Sequence, residues 1–176
     1  MDYKDFTIKS ILLVGLMYSM YVGYTVLYLH PCQHPQTYTV GVIDESHDIT
    51  KDELVAILQN IEYVWEEPMG RTLTFEYTEG AADVTVNLPA NTQDISDGQR
   101  YDKGDFFKGE LNIYEFRNKF DLSLVLAHEF GHALDLDHVE DPNAIMHYLL
   151  KPNPRSYPEL TVDDLRELKS KCRLLQ

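Results

Sequence analysis

The chain has 176 residues, 44% of them hydrophobic and 25% charged, and carries a formal net charge of −14. This composition suits one small globular domain and excludes a chain that is disordered throughout. So acidic a balance also argues against nucleic acid as a partner and, in electrostatic terms, favours basic peptides.

The N-terminal part reads as a membrane anchor. No Asp, Glu, Lys or Arg occurs from Ser10 to Ile43, and residues 11–29 are mostly apolar. At 1.5 Å per helical residue such a run crosses the hydrocarbon core of a bilayer. It ends in tyrosine, leucine and proline rather than in a small-x-small cleavage site, which predicts an uncleaved signal anchor over residues 10–30. Lys4 and Lys9 precede the run and no Lys or Arg follows until Lys51. The positive-inside rule therefore puts residues 1–9 in the cytoplasm and the rest of the chain outside it, as a single-pass membrane protein. Gly15, Ser19 and Gly23 repeat at four-residue spacing, a pattern that lets two membrane helices approach closely as a homodimer, although incidental small residues in a tyrosine-rich span explain it better. After a linker at residues 31–36, residues 37–176 make up the folded domain.

Residues 37–43 alternate and are rich in β-formers, which predicts a first strand. Thr50 and Glu53 have capping-box spacing, and Leu54, Ile57, Ile61 and Val64 recur at helical intervals up to Glu67, where Pro68 and Gly70 close the helix. Residues 71–77, 83–88 and 111–114 read as further strands. The polar stretch 89–109 reads as an irregular loop; its carboxylates Asp94, Asp97, Asp102 and Asp105 are calcium-ligand candidates, at spacings that fit no defined calcium loop. Asp121 is the expected N-cap of a helix that follows, with Phe120 and Val125 as a hydrophobic staple.

That helix carries the chemistry. In HEFGHALDLDH, from His128 to His138, the first two histidines stand four apart on one helical face and can share a metal. Glu129 lies beside the first, placed to take a proton rather than to ligate, which is the arrangement of a zinc hydrolase. His138 becomes a third ligand if the helix ends and the chain turns back, leaving the fourth position open. Cys32 and Cys172, near opposite ends of the domain, could pair as a disulfide in an oxidising compartment.

The run resembles the metzincin metalloproteases, whose pattern H-E-x-x-H-x-x-G-x-x-H is followed by a methionine turn, here Met146. LVLAHEFGHAL, DH and DPNAIM are most similar to the matrixin branch, and residues 56–67 and 160–169 resemble its first and last helices. The likeness covers roughly residues 37–172. It implies an α+β fold with a twisted, mostly parallel sheet of four to five strands and three helices, here preceded by one transmembrane helix. It also implies a zinc endopeptidase that cleaves peptide or protein substrates by Glu129-assisted attack of zinc-bound water, with an extended substrate adding to the strand at residues 109–114.

Three departures stand out. Asp135 replaces the glycine at which the motif helix reverses; Asp tolerates the left-handed conformation, but its carboxylate could compete for the metal. Tyr148, two residues beyond the turn methionine, is similar to the astacin and serralysin branches, where that tyrosine assists at the metal; its alternative role is to close the pocket wall. Cys32 with Pro35 faintly resembles the matrixin propeptide cysteine that caps zinc, although the accompanying arginine is missing. The readings set beside the enzyme are an inactive zinc-binding domain that serves as a membrane-anchored partner-binding module, and an assembly protein acting through its membrane span.

Overall fold

The computed structural model describes residues 12–22, 32, 35–69, 75–90, 104–149 and 157–172. In chain order the elements are α1 (residues 12–22), β1 (Gln36–Ile43), α2 (Lys51–Glu66) with a 3-10 turn at Glu67–Met69, β2 (Phe75–Tyr77), β3 (Val84–Leu88), β4 (Gly104–Phe107), β5 (Glu110–Ile113), α3 (Lys119–Ala133) and α4 (Val162–Cys172). The strands form one sheet in the order β2-β1-β3-β5-β4, parallel except for β4, which runs antiparallel to β5. This is an α+β arrangement with four described helices.

Burial follows from the strand pattern. Tyr38, Val40, Val84, Val86, Leu88, Leu111 and Ile113 alternate with more exposed residues and turn into the core, as a half-buried sheet requires. Tyr38 and Phe75 from the sheet meet Phe130 of α3, with ring centroids 5.6 and 4.5 Å away. Trp65 of α2 donates its indole N–H to the Ala127 carbonyl at 3.0 Å, so a large apolar side chain is buried without orphaning its one polar atom. α3 is enclosed nearly all round, with Leu122, Val125, Leu126 and Phe130 fully buried. A helix buried on nearly every side lies in the centre of a fold, and here it carries the motif, its buried polar residues Asp121, Ser123, His128 and Glu129 included.

Thr50 and Glu53 form the expected capping box at the start of α2. At α3 the expectation fails. The N-cap is Asn118, whose side chain accepts the N–H groups of Phe120 and Asp121, and Asp121 instead reaches back to the Arg117 N–H at 3.0 Å. With the helix entering three residues earlier, the N′ position is Arg117 and no Phe120–Val125 staple forms.

The stretch predicted as loop contains a strand, β4. It is held by a two-residue hairpin in which Lys108 and Gly109 both have positive φ, 53° and 81°. That pair matches the twist of a hairpin, and pairing along β5 supplies the order that four residues beginning with glycine do not encode themselves. β5 consequently lies between β3 and β4 and has no free edge; the exposed edge of the sheet on this side is β4.

Among the described residues no helix is long and apolar enough to cross a membrane. About half of the predicted anchor, residues 10–30, lies outside the described residues, as do Lys4, Lys9 and Gly23; the part that is described, residues 12–22, is helical and exposed throughout. Within it Gly15 has open space around it, and the Ser19 hydroxyl donates to the Leu16 carbonyl of its own helix.

Candidate metal centre

His128 and His132 are held by α3 and His138 by the turn that follows, and the three side chains converge. Their Nε2 atoms form a triangle: 3.2 Å from His128 to His132, 3.2 Å from His132 to His138 and 3.3 Å from His138 to His128. Two of the rings have fixed tautomers. His128 Nδ1 donates to the Ile145 carbonyl at 2.6 Å and His132 Nδ1 to the Leu136 carbonyl at 2.9 Å; since a carbonyl only accepts, the proton sits on Nδ1 and Nε2 presents a bare lone pair. Lone pairs facing one another at this distance repel unless a cation lies between them. Tetrahedral zinc with Zn–N of about 2.0–2.1 Å sets its nitrogens about 3.3–3.4 Å apart, and the observed triangle fits that ion. Among the described residues this is the one group of His, Cys, Asp or Glu side chains arranged to hold a metal. Burial pushes His128 down to about 4, outweighing its bond to Ile145, so the ring is neutral and free to ligate at physiological pH.

The third ligand depends on how α3 ends. Leu134 is the C-cap and Asp135 follows with φ +65°, in the left-handed region. The Leu136 N–H returns to the Gly131 carbonyl at 3.0 Å and the Asp135 N–H to that of His132 at 2.9 Å, which together make a Schellman motif with aspartate in the glycine position. The turn that glycine would make is made by Asp135, and His138 swings back to the metal group. The Asp135 carboxylate points elsewhere, 3.8 Å from Lys171 of α4.

Below the histidines lies Met146, fully buried. A Cβ on Gly131 would come within 2.2 Å of the Met146 sulfur, so the glycine of HEFGH is what allows the methionine turn to pack against the motif helix. Asp164 of α4, also fully buried, accepts the N–H groups of Ile145 and Met146 at 3.0 and 2.9 Å and the N–H of Thr161 at 2.9 Å. One carboxylate thus fixes the methionine turn and caps α4. The sequence signal for Asp164 was the capping pattern Thr161-x-x-Asp164; nothing local pointed to its longer-range partners.

Glu129, the residue after His128 on α3, is buried at 5% exposure. Tyr114, at the end of β5, donates to Asp105 at 3.0 Å, and burial together with the charges of Asp105 and Glu129 holds its phenol above the usual range. Tyr114 is therefore a protonated hydroxyl within the electrostatic reach of Glu129, a neighbour that sequence spacing did not reveal. Tyr148 is 54% exposed, with its ring 4.5 Å from that of His147. His147 is buried and outside the metal group; its Nδ1 lies 3.0 Å from the Leu149 carbonyl. Residues 150–156, which follow this segment, lie outside the described residues.

Two sequence readings change. Cys32 is bonded to Cys172, so its sulfur is not available as a cap on the metal. Of the calcium candidates, Asp94, Asp97 and Asp102 lie outside the described residues, and Asp105 turns its two oxygens to Asn112 and Tyr114 across the hairpin.

Residues 96–171 match the model of the matrixin family. Matrix metalloproteinase-27 of Homo sapiens is 27% identical over 165 residues, a stretch that takes in 84% of this chain and 31% of that protein. The chain thus spans about a third of the length of that relative. The matched part contains β4, β5, α3, the three histidines, the methionine turn and nearly all of α4, and over this part the chain is similar to the matrixin family of metalloproteases.

Proposed function

We propose that the chain is a zinc-dependent endopeptidase, and the observation that carries this reading is the triangle of three Nε2 atoms, with the buried Glu129 next to His128 on the same helix. His128, His132 and His138 would hold the metal through their Nε2 atoms, and imidazole ligands would leave its charge undiminished. A zinc ion there supplies Lewis acidity, which makes water a nucleophile near neutral pH and draws electron density from the scissile carbonyl. Glu129 takes the proton of the attacking water and delivers it to the leaving nitrogen. An extended substrate pairs with the free edge of β4, which replaces residues 109–114 as the docking strand because β5 is already paired on both sides. Such main-chain pairing holds many sequences, and side-chain preference is left to the pocket walls. Tyr148 is a second candidate to touch the reacting carbonyl, and its exposed phenol stands on the segment that follows the methionine turn.

We place this domain outside the cytoplasm, behind a signal anchor at residues 10–30. The Lys4 and Lys9 asymmetry supports that topology, and the Cys32–Cys172 disulfide suits an oxidising compartment.

In the purified full chain, Glu129→Gln should bind zinc as the wild type does and lose at least about 100-fold in kcat on casein or a peptide mixture, as removal of a general base predicts. Equal cleavage by that variant overturns the mechanism. Zinc bound by the wild type with no cleavage of any substrate favours instead the inactive, partner-binding module. Tyr148→Phe with unchanged kcat removes that hydroxyl from the chemistry.

A further inference from the structure

We infer that Glu167 and Lys171 of α4 are positioning residues for His138, holding the third metal ligand from outside the site. The inference rests on the metal reading above. His128 and His132 take their positions from a rigid helix, whereas His138 stands on a turn and takes its place from the backbone of the residues before it. One of those, Leu136, is already committed to α3, through its N–H to Gly131 and its carbonyl to His132. The residues on either side of it are held by α4. The Asp137 N–H donates to Glu167 Oε1 at 3.2 Å, and Lys171 Nζ donates to Asp137 Oδ2 at 2.8 Å. The same ammonium lies 3.8 Å from Asp135 and 4.0 Å from Glu167.

Three carboxylates therefore share one cation directly behind the metal turn. Without Lys171 they repel one another, and the turn that presents His138 is pushed away from α4. The Lys171 and Glu167 side chains are half-buried, whereas those of Asp135 and Asp137 are exposed, so solvent screens the aspartate side of the cluster and the Asp137 N–H bond to Glu167 is its sheltered part. The next residue, Cys172, is bonded to Cys32, which anchors the end of α4 that carries the clamp.

The test is zinc affinity, measured on the full chain by competition with a chromophoric chelator, together with the unfolding temperature of the metal-free protein. Lys171→Met removes a positive charge near the metal, so charge alone would tighten zinc binding. The clamp predicts the opposite, a dissociation constant raised on the order of 10-fold, comparable to loss of a partner that orients a ligand. Glu167→Leu should weaken zinc similarly, while Glu167→Gln, whose amide oxygen still accepts the Asp137 N–H, should stay near the wild type. Metal-free unfolding temperatures should differ little among the four proteins. The inference is overturned if Lys171→Met binds zinc as tightly as the wild type or tighter, if Glu167→Gln is as weak as Glu167→Leu, or if the loss of affinity tracks a fall in metal-free stability. His138→Ala is the reference. Weak zinc binding by it, with unaltered Lys171→Met and Glu167→Leu, removes the clamp alone, whereas unaltered binding by His138→Ala removes the metal reading itself.

Discussion

At the scale of single residues the site turns on Asp135. An L-residue in the left-handed region costs about 1–2 kcal/mol relative to ordinary helical backbone, and aspartate and asparagine bear this better than residues with bulkier side chains. Here the conformation is required, because the two Schellman bonds and the return of His138 both follow from it. Asp135→Asn should therefore fold and bind zinc much as the wild type does. Asp135→Val should cost about 1–2 kcal/mol in urea unfolding of the metal-free chain and should weaken zinc as well, since a β-branched residue resists positive φ. If the valine variant unfolds at the wild-type midpoint, the turn is not made in the way described. The histidine spacing was legible in the sequence because four residues on a helix is a geometric statement. The direction of the Asp135 side chain was not, because it depends on Lys171, which lies 36 positions further along the chain.

At the scale of elements, patterns that act locally were readable and those that depend on pairing were not. The α2 capping box involves residues three apart and appears as expected. β4 and the α3 cap were misread, the first because its order comes from β5 and the second because Asn118 and Asp121 both suit a cap. Glu53 joins the two levels. It caps α2 by accepting the Thr50 N–H at 3.0 Å and pairs with Lys119 of α3 at 2.6 Å. Lys119 first, then the Thr50 bonds, lower its carboxyl from 4.5 to about 2. A carboxyl depressed on folding adds stability above its unfolded pKa and loses it as pH falls toward the folded value, so this contribution should fade between pH 4.5 and about 2. Glu53→Gln should be less stable than the wild type at pH 7, and the gap should shrink across that window and at high salt, because both side chains of the pair are about half exposed. Urea titrations at several pH values measure it; a gap that does not change with pH would place the role of Glu53 in packing rather than charge.

At the scale of the whole molecule, the domain is closed by a bond between its ends. The Cys32–Cys172 disulfide joins positions 140 residues apart, from the approach to β1 to the last turn of α4. Its two cysteines were visible in the sequence, but their pairing required knowing that α4 returns to the start of β1. A loop of this length loses much of its freedom in the unfolded state when it is closed, and removing such a bond from a small domain costs about 2–5 kcal/mol. The cost should fall on an element the site depends on, because α4 supplies Asp164 to the methionine turn and Lys171 to the metal turn. The double variant Cys32→Ser/Cys172→Ser should therefore unfold at a lower urea concentration, with an m value equal to or larger than that of the wild type because its unfolded chain is less constrained. The comparison is made in a strong chelator, since bound zinc stabilises the folded form and would mask the difference. Reductant should shift the wild type to the midpoint of the double variant and leave the variant unmoved. Equal midpoints for wild type and variant without reductant would mean that the ends of the domain are held by packing alone.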